Sequence, residues 1–219
     1  MTTLKTLRDD ILHNSNDLVR VMRQCHRLAV ESNVKQVRDW LELELSGYPL
    51  NKALPSYRVV QVQSYAQLRG NHIQVSRVMV PADFVPEDLR EGVNKAHLRN
   101  GIADYLPLLH GRRDDELQDI WPQHHLRKLD DGQPFAAGMR CVAAWRSMNR
   151  HAIHDLVNAI RARLLRALTE IEIHSRALAA DARPGRLGAT VRQPDFAHLA
   201  SANSAQPASV FARQGRAVA

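Results

Sequence analysis

The sequence predicts an α+β fold: a mainly helical domain with a small antiparallel β-hairpin or sheet and a long C-terminal helix. Two changes of hydrophobic period indicate it. Apolar residues recur at helical spacing to about residue 45, alternate with polar residues between about 58 and 80, and recur at helical spacing again from about 150 to 178. With 219 residues and an apolar fraction of 44%, the chain is long enough for one well-cored domain.

The first third of the chain predicts three short helices joined by tight connections. Their apolar stripes are Leu4, Leu7 and Ile11; Leu18, Met22, Cys25 and Ala29; and Val34, Val37, Leu41 and Leu45. Each stripe buries one side of its helix, which favours a helical bundle. We expect Ser32 or Asn33 to cap the third helix, because a short polar side chain can accept hydrogen bonds from first-turn amides.

The middle of the chain predicts a β-hairpin. Residues 59–66 and 73–80 alternate between apolar and polar types, at least in part, and the turn candidate between them contains Gly70. An isolated hairpin is only marginally stable, so we expect it to pack on the helices or to pair with further strands. Those strands are expected around residues 135–142 or from a second subunit.

Two prolines, Pro81 and Pro86, end the hairpin region and lead into short helical faces. A helix is expected from about Glu87, because proline suits a first helical turn. The apolar faces are Leu89, Val93 and Ala96, then Ile102, Tyr105 and Leu106. Residues 111–115 predict a charged connection, and residues 121–138, which are rich in Pro, Gly, His and Asp, predict a long ordered loop.

The last predicted element is a helix from about Arg150 to Leu178. Its apolar residues step by four and three, which is heptad spacing over about three heptads. Leu156, Leu165 and Leu168 widen this stripe, which favours packing into the domain core over a partly exposed seam between subunits. For the seam alternative, the expected interface residues are Ile153, Val157, Ile160, Leu164 and Ile171.

The composition changes after residue 180, which divides the chain into a domain at residues 1–180 and a tail at residues 181–219. The tail holds 10 alanines in 39 positions and few bulky apolar residues. It therefore lacks the buried surface needed to offset the entropy of ordering, and it predicts a flexible basic appendage. Its expected anchors for a docking partner are Phe196, Leu199, Val210 and Phe211.

The net charge of +7 comes from arginines distributed along the chain. Two helical segments concentrate them, at Arg20, Arg23 and Arg27 and at Arg161, Arg163 and Arg166. Such stripes can neutralise phosphates, but they lack interleaved aromatic residues for base stacking. Solvated faces or interhelical salt bridges are the favoured interpretation, and contact with the phosphates of a nucleic acid is the alternative.

Histidines and acidic residues provide the only candidates for metal or acid–base chemistry. His151 and His154 lie three apart beside Asp155, a spacing that can hold Zn²⁺ if a third ligand comes from elsewhere. The other clustered candidates are His124 and His125, the acidic group Asp114, Asp115, Glu116 and Asp119, and the pair Asp130 and Asp131. Chance histidine pairing and surface charge are the favoured interpretations, so the sequence predicts no catalytic residue, metal or cofactor.

The sequence contains no targeting or membrane signal. Its first residues lack the apolar core of a signal peptide, and no run approaches the roughly 18 apolar residues of a spanning helix. We therefore expect a cytoplasmic protein that does not associate with membranes. Cys25 lies on an apolar helical side and is expected to be a buried free thiol.

The most distinctive segment lies between the helical third and the hairpin. It contains the run WLELELSGY at residues 40–48 and the run LPSYR at residues 54–58. The first predicts the end of an amphipathic helix, and the second predicts entry into a strand. Trp40, Tyr48 and Tyr57 flank this junction, and we expect them to form a small aromatic core under the hairpin rather than a ligand cage.

These runs resemble the AbiTii domain, which is named from bacterial abortive-infection proteins. Weaker similarity extends the resemblance over about residues 4–178. Its other segments are residues 7–12, 14–18, 27–29, 98–102 and 168–172. The resemblance implies a role in defence against phage, and it supplies no catalytic residues.

Family members often look like sensing, adaptor or oligomerising modules attached to effectors, whereas this chain ends in a low-complexity tail. The leading hypothesis is therefore a non-enzymatic defence protein that forms at least a dimer and can hold a separately encoded effector. A nucleic-acid-binding subunit that uses the Arg20, Arg23 and Arg27 face is the alternative. A metal-dependent hydrolase around His151 and His154 is the third hypothesis.

Overall fold

The computed structural model describes residues 4–13, 18–112, 115–132 and 135–181, and it confirms the α+β fold. The helices are α1 (Leu4–His13), α2 (Leu18–Glu31), α3 (Lys35–Ser46), α4 (Glu87–Asn94), α5 (Ile102–Tyr105), α6 (Gln123–Gly132) and α7 (His151–Asp181). The strands are β1 (Val59–Gln61), β2 (Gln63–Arg69), β3 (Gln74–Met79), β4 (Lys95–His97), β5 (Glu116–Ile120) and β6 (Arg140–Asn149). The tail anchors Phe196, Leu199, Val210 and Phe211 lie outside the described residues.

Helices α1, α2, α3 and α7 bury their apolar stripes in a first core, as the helical periodicity predicts. Helix α1 contacts both α2 and α7. An ion pair of 2.7 Å between Arg8 and Glu172 ties α1 to α7 at the surface. Cys25 is buried in this core as a free thiol, as expected.

The stripe of α7 belongs to this core. Its five expected interface residues are at most 2% exposed within the chain itself: Ile153, Val157, Ile160, Leu164 and Ile171. Within this chain the stripe packs into the domain core, which is the interpretation that the sequence favours. The physical reason is the width of the stripe, since a wide apolar face fits a multi-helix core better than a two-helix seam.

The turn between α2 and α3 differs from the predicted cap. Asn33 has a positive φ of 54°, and its amide bonds to Val30 O at 3.0 Å. The Val34 amide bonds to Ala29 O at 2.8 Å, which completes the pattern of a Schellman motif. Asn33 therefore ends α2 instead of capping α3, whose N-cap residue Val34 makes no side-chain capping bond. The cap prediction was wrong because asparagine also favours the left-handed conformation at a helix end.

The predicted hairpin is confirmed as β2 and β3, and it belongs to a four-stranded antiparallel sheet with strand order β3-β2-β6-β5. The additional strand expected near residues 135–142 is β6, which begins at Arg140 and extends to Asn149. A smaller sheet pairs β1 with β4, so Ala96 lies in a strand rather than on a helix. β5 was not expected, because its acidic residues were interpreted as surface charge in a loop.

The two faces of the four-stranded sheet have different surroundings. The inner face carries the buried Ala66, Leu68 and Ala144, and it packs against α4 and α6 in a second core. The outer face carries the alternate residues, including Tyr65 and Trp145. Helix α6 corrects the loop predicted at residues 121–138: Leu126 and Leu129, three apart, are its two residues in the second core.

No helix in the described ranges is long and apolar enough to cross a membrane.

Candidate functional site

The structure places the six predicted arginines in different environments. Arg20 is exposed on α2, where it bonds to Asp10 at 3.1 Å. Arg23 and Arg27 are exposed on the same helix. On α7, Arg161 is half-buried and Arg166 is exposed.

Arg163 is a core residue rather than a surface cation. Its side chain is 1% exposed, and its guanidinium lies 4.0 Å from the centre of the Tyr57 ring. It also donates a hydrogen bond to Ala159 O at 3.0 Å. Burial lowers the pKa of this guanidinium. Arg163 is therefore enclosed between α7 and the Tyr57 ring in this structure.

The structure brings candidate metal ligands together in pairs. His151 is exposed at the start of α7, with its Nε2 3.5 Å from an Asp155 carboxylate oxygen. His124 and His125 contact each other on α6. Among the described residues, no group of three or more His, Cys, Asp or Glu side chains could hold a metal ion.

The acidic residues near β5 each face a different arginine. The distances between the charged atoms are 3.6 Å for Asp115 with Arg150, 2.9 Å for Glu116 with Arg77, and 2.7 Å for Asp119 with Arg146. Asp130 accepts a hydrogen bond from the Cys141 amide at 2.7 Å. These carboxylates face cations or amides from other segments, and Asp114 lies outside the described residues.

The distinctive runs at residues 40–48 and 54–58 meet in a buried ion pair between Glu44 of α3 and Arg58. Both side chains are fully buried, and Arg58 Nη2 lies 2.7 Å from Glu44 Oε2. Arg58 Nη1 donates to the carbonyl oxygens of Leu98 at 2.6 Å and Asn100 at 2.8 Å. Burial works to lower the pKa of Arg58, but its hydrogen bonds to Glu44 and the Glu44 charge raise it overall.

The three aromatic residues of this segment join the same network. The hydroxyls of Tyr48 and Tyr57 both donate to Glu44 Oε1, at 2.7 and 2.6 Å, and the Trp40 indole donates to the Tyr57 hydroxyl at 3.0 Å. Burial first, and then the Glu44 charge, raises the pKa of both tyrosines. The expected aromatic core is therefore a hydrogen-bonded polar cluster, which we call the buried network (Trp40, Glu44, Tyr48, Tyr57 and Arg58).

Close backbone contacts surround the buried network. The Tyr48 amide bonds to Arg99 O at 2.7 Å, and a Cβ on Gly101 would lie 2.3 Å from Leu45 O. Only glycine at position 101 allows the loop to approach the end of α3 this closely. The network thus joins the end of α3, the entry to β1, the loop at residues 98–101 and, through the Arg163–Tyr57 contact, α7.

The outer face of the four-stranded sheet carries an apolar row that crosses every strand. The strand register aligns Met79 of β3, Tyr65 of β2, Trp145 of β6 and Ile120 of β5. Met79 is 58% exposed and Ile120 is 74% exposed. The Tyr65 and Trp145 rings lie 6.2 Å apart at their centres. We call these four residues the apolar row.

An ion pair spans the same face from one edge strand to the other. Arg77 of β3 lies 4.4 Å above the Tyr65 ring and reaches Glu116 of β5 at 2.9 Å. Hydrogen bonding from Ser147, followed by that from Arg77, lowers the pKa of Glu116. Arg77 has a positive φ of 61° at an irregularity in the β2–β3 register. We call this pair the spanning pair.

Sequence reasoning missed both clusters as units. Glu44 and Arg58 are charged, and no local pattern marks them as buried. Tyr65 lies in the predicted hairpin. Its neighbour Trp145 lies in the part of β6 beyond residue 142, where the sequence did not predict a strand. The sequence around Trp145 gives no clear strand signal, because the neighbours Ala144 and Trp145 are both apolar and break the alternation.

A comparison with models of protein families places this chain. The AbiTii family model matches residues 2–182, which is most of the chain, and this family implies abortive-infection defence against phage. Searches of curated proteins and of solved structures gave no match. The match includes the buried network, whose residues carry the distinctive runs of the sequence. The chain belongs to the AbiTii family.

Proposed function

We propose that this protein acts in abortive infection as a non-catalytic cytoplasmic module that self-associates and holds a separately encoded effector. It works by presenting surfaces to other proteins, and its tail supplies a further docking segment. The proposal gives the chain the assembly role in a defence system and assigns the toxic reaction to its partner.

One observation carries this proposal: the apolar row on the outer face of the sheet. Tyr, Trp, Met and Arg are enriched at protein interfaces, and Tyr, Trp and Arg dominate binding energies there. The apolar row and the adjacent Arg77 contain all four residue types on one face. Leaving Met79 and Ile120 more than half exposed is unfavourable in water, and a protein partner would remove that cost.

The buried network supports the same proposal through its effect on rigidity. Its charged atoms bond to one another and to backbone carbonyls, and the raised pKa values of Tyr48 and Tyr57 keep both hydroxyls protonated. These groups fix the junction between helices and strands. A rigid junction of this kind holds a binding surface in a constant shape.

Light scattering of the purified full-length chain tests the proposal. We expect a species of at least twice 24.7 kDa at micromolar concentration, and a phage-infected culture that loses protection when that species is lost. A single 24.7 kDa species under these conditions would remove self-association from the proposal.

A second candidate function is nucleic-acid binding through α2. Arg20, Arg23 and Arg27 lie at three- and four-residue spacing on one helix, and all three are exposed. Arg20 already bonds to Asp10, which leaves Arg23 and Arg27 as the main candidates. This function predicts a gel shift that weakens steeply as salt increases. A shift that is absent, or flat across salt concentrations, argues against it.

A further inference from the structure

The spanning pair puts two opposite charges on the outer face of the sheet. Arg77 lies on β3 and Glu116 lies on β5, the two opposite edge strands. With strands about 4.8 Å apart, the edges are separated by about 14 Å. The Arg77 side chain lies over Tyr65 of β2 and the Glu116 carboxylate accepts a hydrogen bond from Ser147 of β6, so the two charges meet over the two central strands. A two-fold axis parallel to the strands and through the middle of the sheet would place β3 of one copy over β5 of the other and bring the charged ends of both spanning pairs together at the axis.

Resting on the proposed self-association, we infer that two copies pack face to face through their outer sheet faces, and that the spanning pair exchanges between them. Arg77 of each copy then binds Glu116 of the other, over a shared layer formed by the two apolar rows. The occupant of this face is thus a second copy of the same chain.

The spanning pair can open at little cost within one chain. The side chains of Arg77 and Glu116 are 50% and 31% exposed, and exposed ion pairs contribute little because water competes and salt screens them. Exchange between copies leaves each charge paired. It therefore avoids the large cost of burying an unpaired charge in the new interface.

Burial of the apolar row supplies the favourable free energy for this association. Face-to-face packing would remove the exposed parts of Met79 and Ile120, together with Tyr65 and Trp145, from water. Two antiparallel sheets pack at a separation of about 10 Å, which leaves room for one interdigitated layer of such side chains. The four residues lie in one line across the sheet, so a second copy can cover them together.

The β3 edge is a poorer surface for association than the face. Ser76 and Arg77 lie together opposite Gln67, which makes a bulge in β3. A bulge interrupts the regular row of backbone donors and acceptors that another strand would need. This bulge disfavours pairing of the hairpin edge with a strand of a second subunit, which the sequence left open. It also directs the Arg77 side chain over the outer face.

Charge-swapped variants test the arrangement directly. We expect Arg77→Glu alone and Glu116→Arg alone to weaken self-association by about tenfold or more, because like charges then meet across the axis. Mixing the two variants in equal amounts is expected to restore a heterodimer. In that mixture neither variant can form an Arg–Glu spanning pair within its own chain. A restored heterodimer therefore shows that the ion pairs form between chains.

Two controls match these changes in charge. Arg127→Glu on α6 and Glu42→Arg on α3 alter exposed residues away from the sheet, and we expect both to self-associate as the original chain does. The double variant Arg77→Glu with Glu116→Arg is expected to associate as well. Circular dichroism checks that each variant folds.

The possible outcomes separate the inference from the proposed function. Single variants that associate like the original chain would place self-association on another surface and overturn the inference alone. Single variants that dissociate without rescue on mixing would overturn the β3-over-β5 arrangement. An original chain that is monomeric removes this inference and also removes self-association from the proposed function. A monomer whose tryptophan fluorescence changes on adding single-stranded oligonucleotide, with the change lost in Trp145→Phe, would assign the face to nucleic acid instead.

Discussion

Two Arg–Glu pairs of the molecule differ mainly in their access to water. Arg58 and Glu44 are fully buried and bond to tyrosine hydroxyls and backbone carbonyls, whereas Arg77 and Glu116 are 50% and 31% exposed on a sheet face. A buried pair that loses one partner leaves a charge without compensation, whereas an exposed charge is solvated. The first pair therefore fixes the fold, and the second is available for exchange with another molecule.

The largest difference between the two pairs is expected when one partner is removed. Arg58→Met should lower the free energy of unfolding by about 3–5 kcal/mol, because the Glu44 carboxylate would remain buried and unpaired. Urea unfolding followed by circular dichroism measures this loss. The matched variant Glu116→Gln should cost less than about 1 kcal/mol. Equal losses at the two sites would show that burial does not separate the pairs.

A second substitution tests how tightly the backbone packs around the buried network. Gly101→Ala would place a Cβ 2.3 Å from Leu45 O, so α3 and the loop must separate, at an expected cost of about 1–3 kcal/mol. Gly92→Ala is the matched control in helix α4, where the nearest atom is 3.8 Å away. It should be neutral or stabilise the protein by up to about 1 kcal/mol. Thermal melts distinguish the two, and a tolerated Gly101→Ala would show that this loop gives way easily.

The sequence predicted the elements that depend on local periodicity. The stripes of α2, α3 and α7 and the alternation of β2 and β3 were sufficient for this. It did not predict α6, whose described residues contribute Leu126 and Leu129 to the second core. Nor did it predict β5, where Glu116, Gln118 and Ile120 face outward. In both elements, burial comes from contacts that are distant in sequence.

The sequence did not predict the buried network or the apolar row as units, for a related physical reason. A charged residue such as Glu44 becomes favourable in a core only when Arg58 and the tyrosine hydroxyls are positioned around it. The apolar row requires the register of four strands, from Met79 to Ile120. The sequence marked the aromatic members of the network because Trp and Tyr are informative by themselves. It could not show which charges they surround.

A pH dependence follows from the raised pKa values of the network tyrosines. In the folded chain the Tyr57 hydroxyl keeps its proton above its ordinary pKa of 10.0, because it is buried and bonded to Glu44. The unfolded chain releases that proton near pH 10, so stability falls as pH rises beyond this value. We expect the stability advantage of the original chain over Tyr57→Phe to shrink above pH 10, by at most about 1.4 kcal/mol per pH unit.

Urea titrations at several pH values between 7 and 11 measure this advantage. Below about pH 9 it should be constant, since Tyr57 is protonated in both the folded and unfolded chains. Lysines and other tyrosines titrate in both proteins, and their contribution cancels in the difference between them. A difference that stays constant through pH 11 would mean that Tyr57 titrates alike in the two states.

The smallest effect on stability is expected on the apolar row, where a change should instead affect association. Ile120 is 74% exposed, so Ile120→Ser should alter the free energy of unfolding by no more than about 0.5 kcal/mol. The same change removes apolar area from the inferred contact between two copies and should raise their dissociation constant. Leu50→Ser is the matched control, because Leu50 is 87% exposed and lies outside the sheet. If both variants associate equally well in sedimentation measurements, exposure of the apolar row has no role in assembly, whereas loss in Ile120→Ser alone separates a binding surface from an ordinary exposed leucine.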